Sequence, residues 1–155
     1  MTREQLLARI DAAWVAFQNS YSGLADERLV EPGVAGDWSV KDIIAHVTWW
    51  EEEALTHLPH IVKGARPPRY SATYGGIDAF NALMAERKQA LALTEVRRQA
   101  AETHERLSAY IESIPEEFIT QETRFRRRLR LDTYSHYPIH TEAIRRWRQE
   151  HAGTG

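Results

Sequence analysis

The chain reads as an all-α protein, a four-helix bundle with long crossover connections. Three observations lead there. Four stretches repeat their apolar residues at helical spacing. Strand-like alternation is nearly absent. The stretches are joined by connections that include Pro- and Gly-rich segments, at least one of them long enough to cross from one end of a bundle to the other. At 155 residues the chain fits one domain, residues 1–155, and can bury a full hydrophobic core without covalent staples.

The first helix is expected over residues 2–23. Thr2 and Gln5 match a capping box, in which each side chain satisfies an orphan amide of the first turn. Leu6, Ile10, Ala13, Trp14 and Phe17 then share one apolar face, and Gly23 is a natural stop. Residues 31–38 carry Pro and Gly and read as a loop.

The second helix starts at Ser39, a good N-cap, with Asp42 favourable to the positive helix N-terminus. It extends to residues 63–64, with Pro59 expected to end or kink it earlier. Ile43, Ile44, Val47, Trp50 and Ala54 supply its buried side. Trp49 and Trp50 are adjacent and project about 100° apart, so one belongs to the core and the other is free to line a pocket mouth. Residues 65–76 form a long connection with two prolines and two glycines.

The third helical region covers residues 77–113, with a break expected near Leu93 and Thr94, where Thr94 looks like a fresh N-cap. Pro115 closes it. Residues 116–130 look irregular and contain five arginines, Arg124, Arg126, Arg127, Arg128 and Arg130. They read either as a solvated, salt-bridged loop or as an anion clamp. The last helix is expected over residues 131–150, with Asp132 as its N-cap and a kink at Pro138.

Composition excludes several function classes. The chain has no cysteine, so it has no disulfide, no thiolate metal ligand and no cysteine nucleophile. Any metal must be held by His, Asp or Glu. The formal net charge of −2 gives no overall pull toward nucleic acid or an anionic membrane. No apolar run is long enough to span a bilayer, and the N-terminus lacks a signal-peptide apolar region. The expected setting is soluble and cytoplasmic.

Histidines carry the sharpest functional signal. His136 and His140 stand four residues apart, one helical turn on the same face. His46 lies in the second helix. Three neutral imidazoles from two packed helices leave an open coordination position, as catalytic metal sites do. Helical projection places His46, Trp50, Glu53 and His57 in one polar and aromatic stripe. Glu53 is the candidate general base; Trp50 and His57 are candidates for substrate binding. Asp132, Thr133 or a backbone carbonyl are candidates to orient the imidazoles from behind. His60, His104 and His151 read as structural, with His104 close enough to an apolar face to point inward.

The stretch Gly36-Asp-Trp-Ser-Val-Lys-Asp-Ile-Ile-Ala-His46-Val and its spacing to His136-Tyr-Pro-Ile-His140 resemble the DinB-like four-helix-bundle superfamily, nearest its ClbS/DfsB-like branch. The resemblance covers essentially the whole chain. It implies a divalent metal, nickel or zinc, on His46, His136 and His140. It also implies a homodimer and, in part of the superfamily, a low-molecular-weight thiol as co-substrate. The activity it implies is thiol transfer to, or hydrolysis of, a small electrophilic molecule, in the manner of detoxification. The alternative is a non-catalytic resistance protein that sequesters a reactive small molecule, its metal site structural or vestigial. No nucleic-acid or membrane partner is expected.

Overall fold

The computed structural model describes residues 1–152. Among them the elements are all helices: α1 (Arg3–Tyr21), α2 (Asp26–Leu29), α3 (Val40–Val62), α4 (Tyr70–Thr73), α5 (Ile77–Lys88), α6 (Leu93–Ser113), α7 (Glu117–Thr120), α8 (Arg124–Asp132) and α9 (Tyr137–Glu150). The bundle is formed by α1, α3, α6 and α9. The most extensive packing is between α3 and α6 and between α1 and α9, while α8 and α5 flank α3.

Helix α3 is the central element because its sequence leaves almost no polar face in its first half. Every residue from 43 to 51 is buried. A helix apolar on most sides needs neighbours on most sides, and α3 has α2, α5, α6, α8 and α9. Its start is fixed by Ser39. The Ser39 hydroxyl accepts from the Asp42 amide at 3.2 Å, and the Asp42 carboxylate accepts from the Ser39 amide at 2.9 Å. Ser39→Ala removes half of this reciprocal cap. It is expected to cost about 1 kcal/mol, read in a thermal melt as a drop of roughly 2–4 °C.

Five local expectations are corrected. Pro59 neither ends nor shortens α3, which continues to Val62. Proline there forfeits one hydrogen bond close to the C-terminal end, while Leu58 and Ile61 on either side are buried and hold the last turn. The break in the third region falls at residues 89–92, ahead of Leu93. Ala92 takes the extended cap position, so Thr94 lies inside the first turn of α6. The Lys41 ammonium donates to the Gln89 and Leu91 carbonyls at 3.1 and 2.6 Å and pins this linker to α3.

The arginine-rich run is the helix α8. Phe125 and Leu129, one turn apart, are fully buried and fasten it to the core. The Thr123 hydroxyl caps it by accepting from the Arg126 amide at 3.2 Å. Asp132 is therefore the last residue of α8 and caps nothing. The final helix starts only at Tyr137, with His136 as its cap residue. Pro138 lies in the first turn of α9, where its missing N–H would have had no intrahelical partner. It starts the helix and does not kink it.

Candidate metal centre and adjoining cavity

His46 is buried on α3, facing the beginning of α9. His136 is the cap residue of α9, and His140 follows one turn later. Because His136 already has right-handed helical dihedrals, the two rings share a face despite the helix boundary. The His136 Nε2 lies 3.1 Å from the His46 Nε2 and 3.0 Å from the His140 Nε2. The three rings thus aim the same nitrogen at one point.

Electrostatics keep these rings neutral. Burial lowers the His46 pKa to about 2, helped by the neighbouring His140 and His136. Burial and His140 lower His136 to about 3, and burial lowers His140 to about 4. Neutral imidazole is the metal-ligating form. Two nitrogens bound to one ion at about 2.1 Å stand about 3–3.4 Å apart, so the observed separations fit a shared ion.

What orients the rings differs from expectation. The Nδ1 atoms of His46 and His136 are buried without a hydrogen-bond partner. Asp132 is instead engaged by Arg128, and the Thr133 hydroxyl donates to the Leu129 carbonyl at 2.6 Å. The His46 ring is held by aromatic packing, with the Trp38 and Trp49 ring centroids each 4.9 Å away. Rigid rings thus do the positioning that hydrogen bonds supply in many metal sites.

Beside the triad opens a cavity of about 380 Å³. His46, His136, Asp132, Arg128 and Asn81 give it polar wall, and Trp50, Tyr70, Ile77 and Leu131 give it apolar wall. Trp49 lies in the core and Trp50 in the cavity wall. Both indole N–H groups donate to the Asn81 carbonyl oxygen, at 3.1 and 2.9 Å, which locks the pair.

The other residues singled out from sequence lie behind the cavity wall. Glu53 accepts from the Tyr70 hydroxyl at 3.0 Å and lies 3.4 Å from the His57 Nε2. The same Tyr70 oxygen accepts from the Arg128 Nη2 at 2.8 Å, and the Arg128 Nε donates to Asp132 at 2.6 Å. A continuous polar chain therefore runs His57, Glu53, Tyr70, Arg128, Asp132. Burial holds the Tyr70 hydroxyl well above its ordinary pKa, so it stays protonated. Burial pushes the Asp132 carboxyl up to about 6, with Arg128 pulling against it.

Sequence reasoning missed Tyr70 and Asn81. Tyr70 sits in a connection with no helical period to place it, and Asn81 is one polar residue in a short, mostly exposed helix. Arg128 was visible only as one arginine of five. Its four-residue spacing to Asp132, alongside the same spacing of Phe125 and Leu129, is the signal that marks both a helix and a partnered, inward-facing arginine.

The comparisons with known proteins bear on family and fold. The family model described as DinB superfamily matches residues 9–142. No curated protein matches the chain in sequence. Among solved structures, the chain is similar to DfsB, described as a sibling lethal factor precursor, with a TM-score of 0.81, 17% identity and 98% of each chain covered. It is similar to the colibactin self-resistance protein ClbS in complex with double-stranded DNA, with a TM-score of 0.77, 16% identity and 94% of each chain covered. A protein from Streptococcus pneumoniae has a TM-score of 0.80 at 16% identity, with 96% of this chain and 91% of that one covered. At these identities the likeness is one of fold.

Proposed function

The chain belongs to the DinB superfamily, and on that footing we propose that it is a divalent-metal-dependent enzyme acting on a small electrophilic molecule by thiol transfer or hydrolysis. The observation that carries this reading is the convergence of three neutral imidazoles, two of which, His46 and His136, line an aromatic cavity. His46, His136 and His140 would hold the ion, nickel or zinc, since both accept imidazole nitrogen. When bound, such an ion supplies Lewis acidity and lowers the pKa of a coordinated water or thiol.

The chain's own residues bind, orient and exclude water. Trp50 and Tyr70 form a face against which a planar or apolar body packs, their ring centroids 5.3 Å apart. Glu53 reaches the cavity only through the Tyr70 hydroxyl, so its part as proton acceptor runs by relay through that group. His57 steadies the Glu53 carboxylate. A low-molecular-weight thiol as co-substrate and a homodimer belong to the same proposal and rest on the family resemblance; a cytoplasmic setting belongs to it too and rests on the composition. No helix among the described residues is long and apolar enough to cross a membrane.

Metal analysis of the protein purified without a histidine tag tests the centre. Stoichiometric nickel or zinc is expected, falling to background in His46→Ala and in His140→Ala. A full load in both variants would end the triad assignment.

A second reading, sequestration of a reactive small molecule without turnover, is supported by the likeness to the self-resistance protein ClbS. Metal-dependent consumption of a thiol with a model electrophile separates the two, since sequestration stops at one equivalent. Duplex DNA accompanies ClbS in that structure. In this chain Arg124, Arg126 and Arg130 are bonded to backbone carbonyls or to Glu122, and the formal net charge is −2, both of which favour a small molecule.

A further inference from the structure

We propose that Arg128 is a specificity-determining residue of the cavity, selecting molecules that carry a carboxylate on an apolar body. The proposal takes from the reading above only that the cavity is where substrate binds. The anion preference follows from Arg128 and its surroundings.

Arg128 is anchored on two of its three nitrogens. Nε is held by Asp132 at 2.6 Å and Nη2 by the Tyr70 hydroxyl at 2.8 Å. Nη1 makes no hydrogen bond with the protein and is not fully buried, and the residue lines the cavity, so this nitrogen is the one left to meet a ligand there. The side chain is only 17% exposed. A guanidinium this far out of water, immobilised and left with a free edge, is organised in advance for an oxyanion.

Charge in the cavity points the same way. Asp132 is already spent on Arg128, Glu53 stands behind Tyr70, and the imidazoles are neutral. No uncompensated anion lines the wall to repel a carboxylate. The apolar requirement comes from the other side. Ile77 and Leu131, 55% and 64% exposed, leave large apolar side chains in water at the rim. With the Trp50 and Tyr70 rings behind them, they give an apolar body a surface to cover. The cavity volume suits a small molecule.

The test compares 4-phenylbutyrate with its neutral amide, using tryptophan fluorescence and calorimetry on the full chain, both as purified and after chelation. In the chelated protein the acid is expected to bind at least about tenfold tighter than the amide, as a charge-assisted bond to one guanidinium implies. Arg128→Gln should erase that preference while leaving amide affinity within about twofold, and Arg128→Lys should keep part of it. The double variant R128Q/D132N removes both charges together, so that no buried carboxylate is stranded, and should also lose the preference.

Equal affinity for acid and amide in the parent protein would overturn the proposal. So would a preference that survives both Arg128→Gln and the double variant. Because the chelated protein is measured, failure of the metal centre leaves this result standing. An absent acid preference in a protein that still loads metal sinks the present inference alone.

Discussion

Glu51→Ala is expected to lower the thermal midpoint by roughly 10 °C, from a loss of about 3–5 kcal/mol spread over a chain of this size. Glu51 is completely buried on α3, yet it belongs to neither the triad nor the cavity. Its carboxylate lies 3.2 and 3.4 Å from the His104 Nδ1. His104 in turn stacks on Trp14 with centroids 4.0 Å apart and planes 7° from parallel, and Trp14 meets Tyr137 edge-on at 5.3 Å. This cluster ties α1, α3, α6 and α9 together at one point. Burial pushes the Glu51 carboxyl above its ordinary pKa while His104 pulls it back. Burial and the Glu51 carboxylate raise the Tyr137 hydroxyl well above its own.

Removing one member of such a set leaves the others desolvated and unpaired, which is why truncation costs more than the pair itself contributes. Glu51→Gln keeps the volume and one hydrogen-bonding oxygen, and should cost about 1 kcal/mol, within the range of one exchanged hydrogen bond. Calorimetric melts of the two variants make the comparison. A drop below about 3 °C for Glu51→Ala would mean that the network contributes little beyond packing. Metal content should be unchanged in both, which keeps this network distinct from the triad.

The helix bundle was legible because burial writes itself into spacing. Leu6, Ile10, Trp14 and Phe17 in α1, and Ile43, Val47, Trp50 and Ala54 in α3, recur at helical intervals and are buried where that spacing puts them. The capping boxes at Thr2 and Ser39 both form. Legibility failed where a short helix carries a narrow apolar face under heavy charge. In α8 two buried apolar residues, Phe125 and Leu129, hold a helix whose other positions are mostly arginine, so propensity and pattern gave no period to follow. Asp132 misled for a related reason. An aspartate ahead of an apolar run resembles a cap, but a neighbouring arginine one turn back claims it first.

The site shows the same division. His136 and His140 could be paired in advance because helix geometry fixes which residues share a face, His46 joined them only through helix packing and the family resemblance, and the structure brings the three nitrogens together. Tyr70 could not be foreseen. It reaches the cavity from a connection whose path depends on how α4 and α5 fold back over α3, and no local spacing encodes that. His104 shows the limit of reading histidines by type. Its inward orientation was visible, but its partner Glu51 lies on another helix, more than fifty positions away in sequence.

In the chelated protein, stability is expected to fall steeply as pH drops below about 6.5, the ordinary histidine pKa. In the folded state burial holds His46, His136 and His140 at about 2, 3 and 4. Between roughly pH 6.5 and 4 the unfolded chain therefore binds three protons on these residues that the folded chain refuses, and stability is lost as pH falls. Asp132 opposes this. Its folded pKa is raised to about 6, so the folded state holds one proton there that the unfolded chain has released, and Glu51 shifts in the same direction.

Over these five groups the net excess is one to two protons, worth about 1.4–2.7 kcal/mol per pH unit, and His57, also lowered by burial, adds in the same direction as the triad. Over the interval from pH 6.5 to 5 that is a large part of the stability of an ordinary domain. Urea midpoints at pH 7 and pH 5 measure it, and His140→Gln should reduce the slope by about one proton. A chelated protein equally stable at both values would mean that the three imidazoles are not held neutral by burial. A bound ion favours the same neutral rings, so the metal-loaded protein should keep its pH 7 midpoint to lower pH, until protons displace the ion.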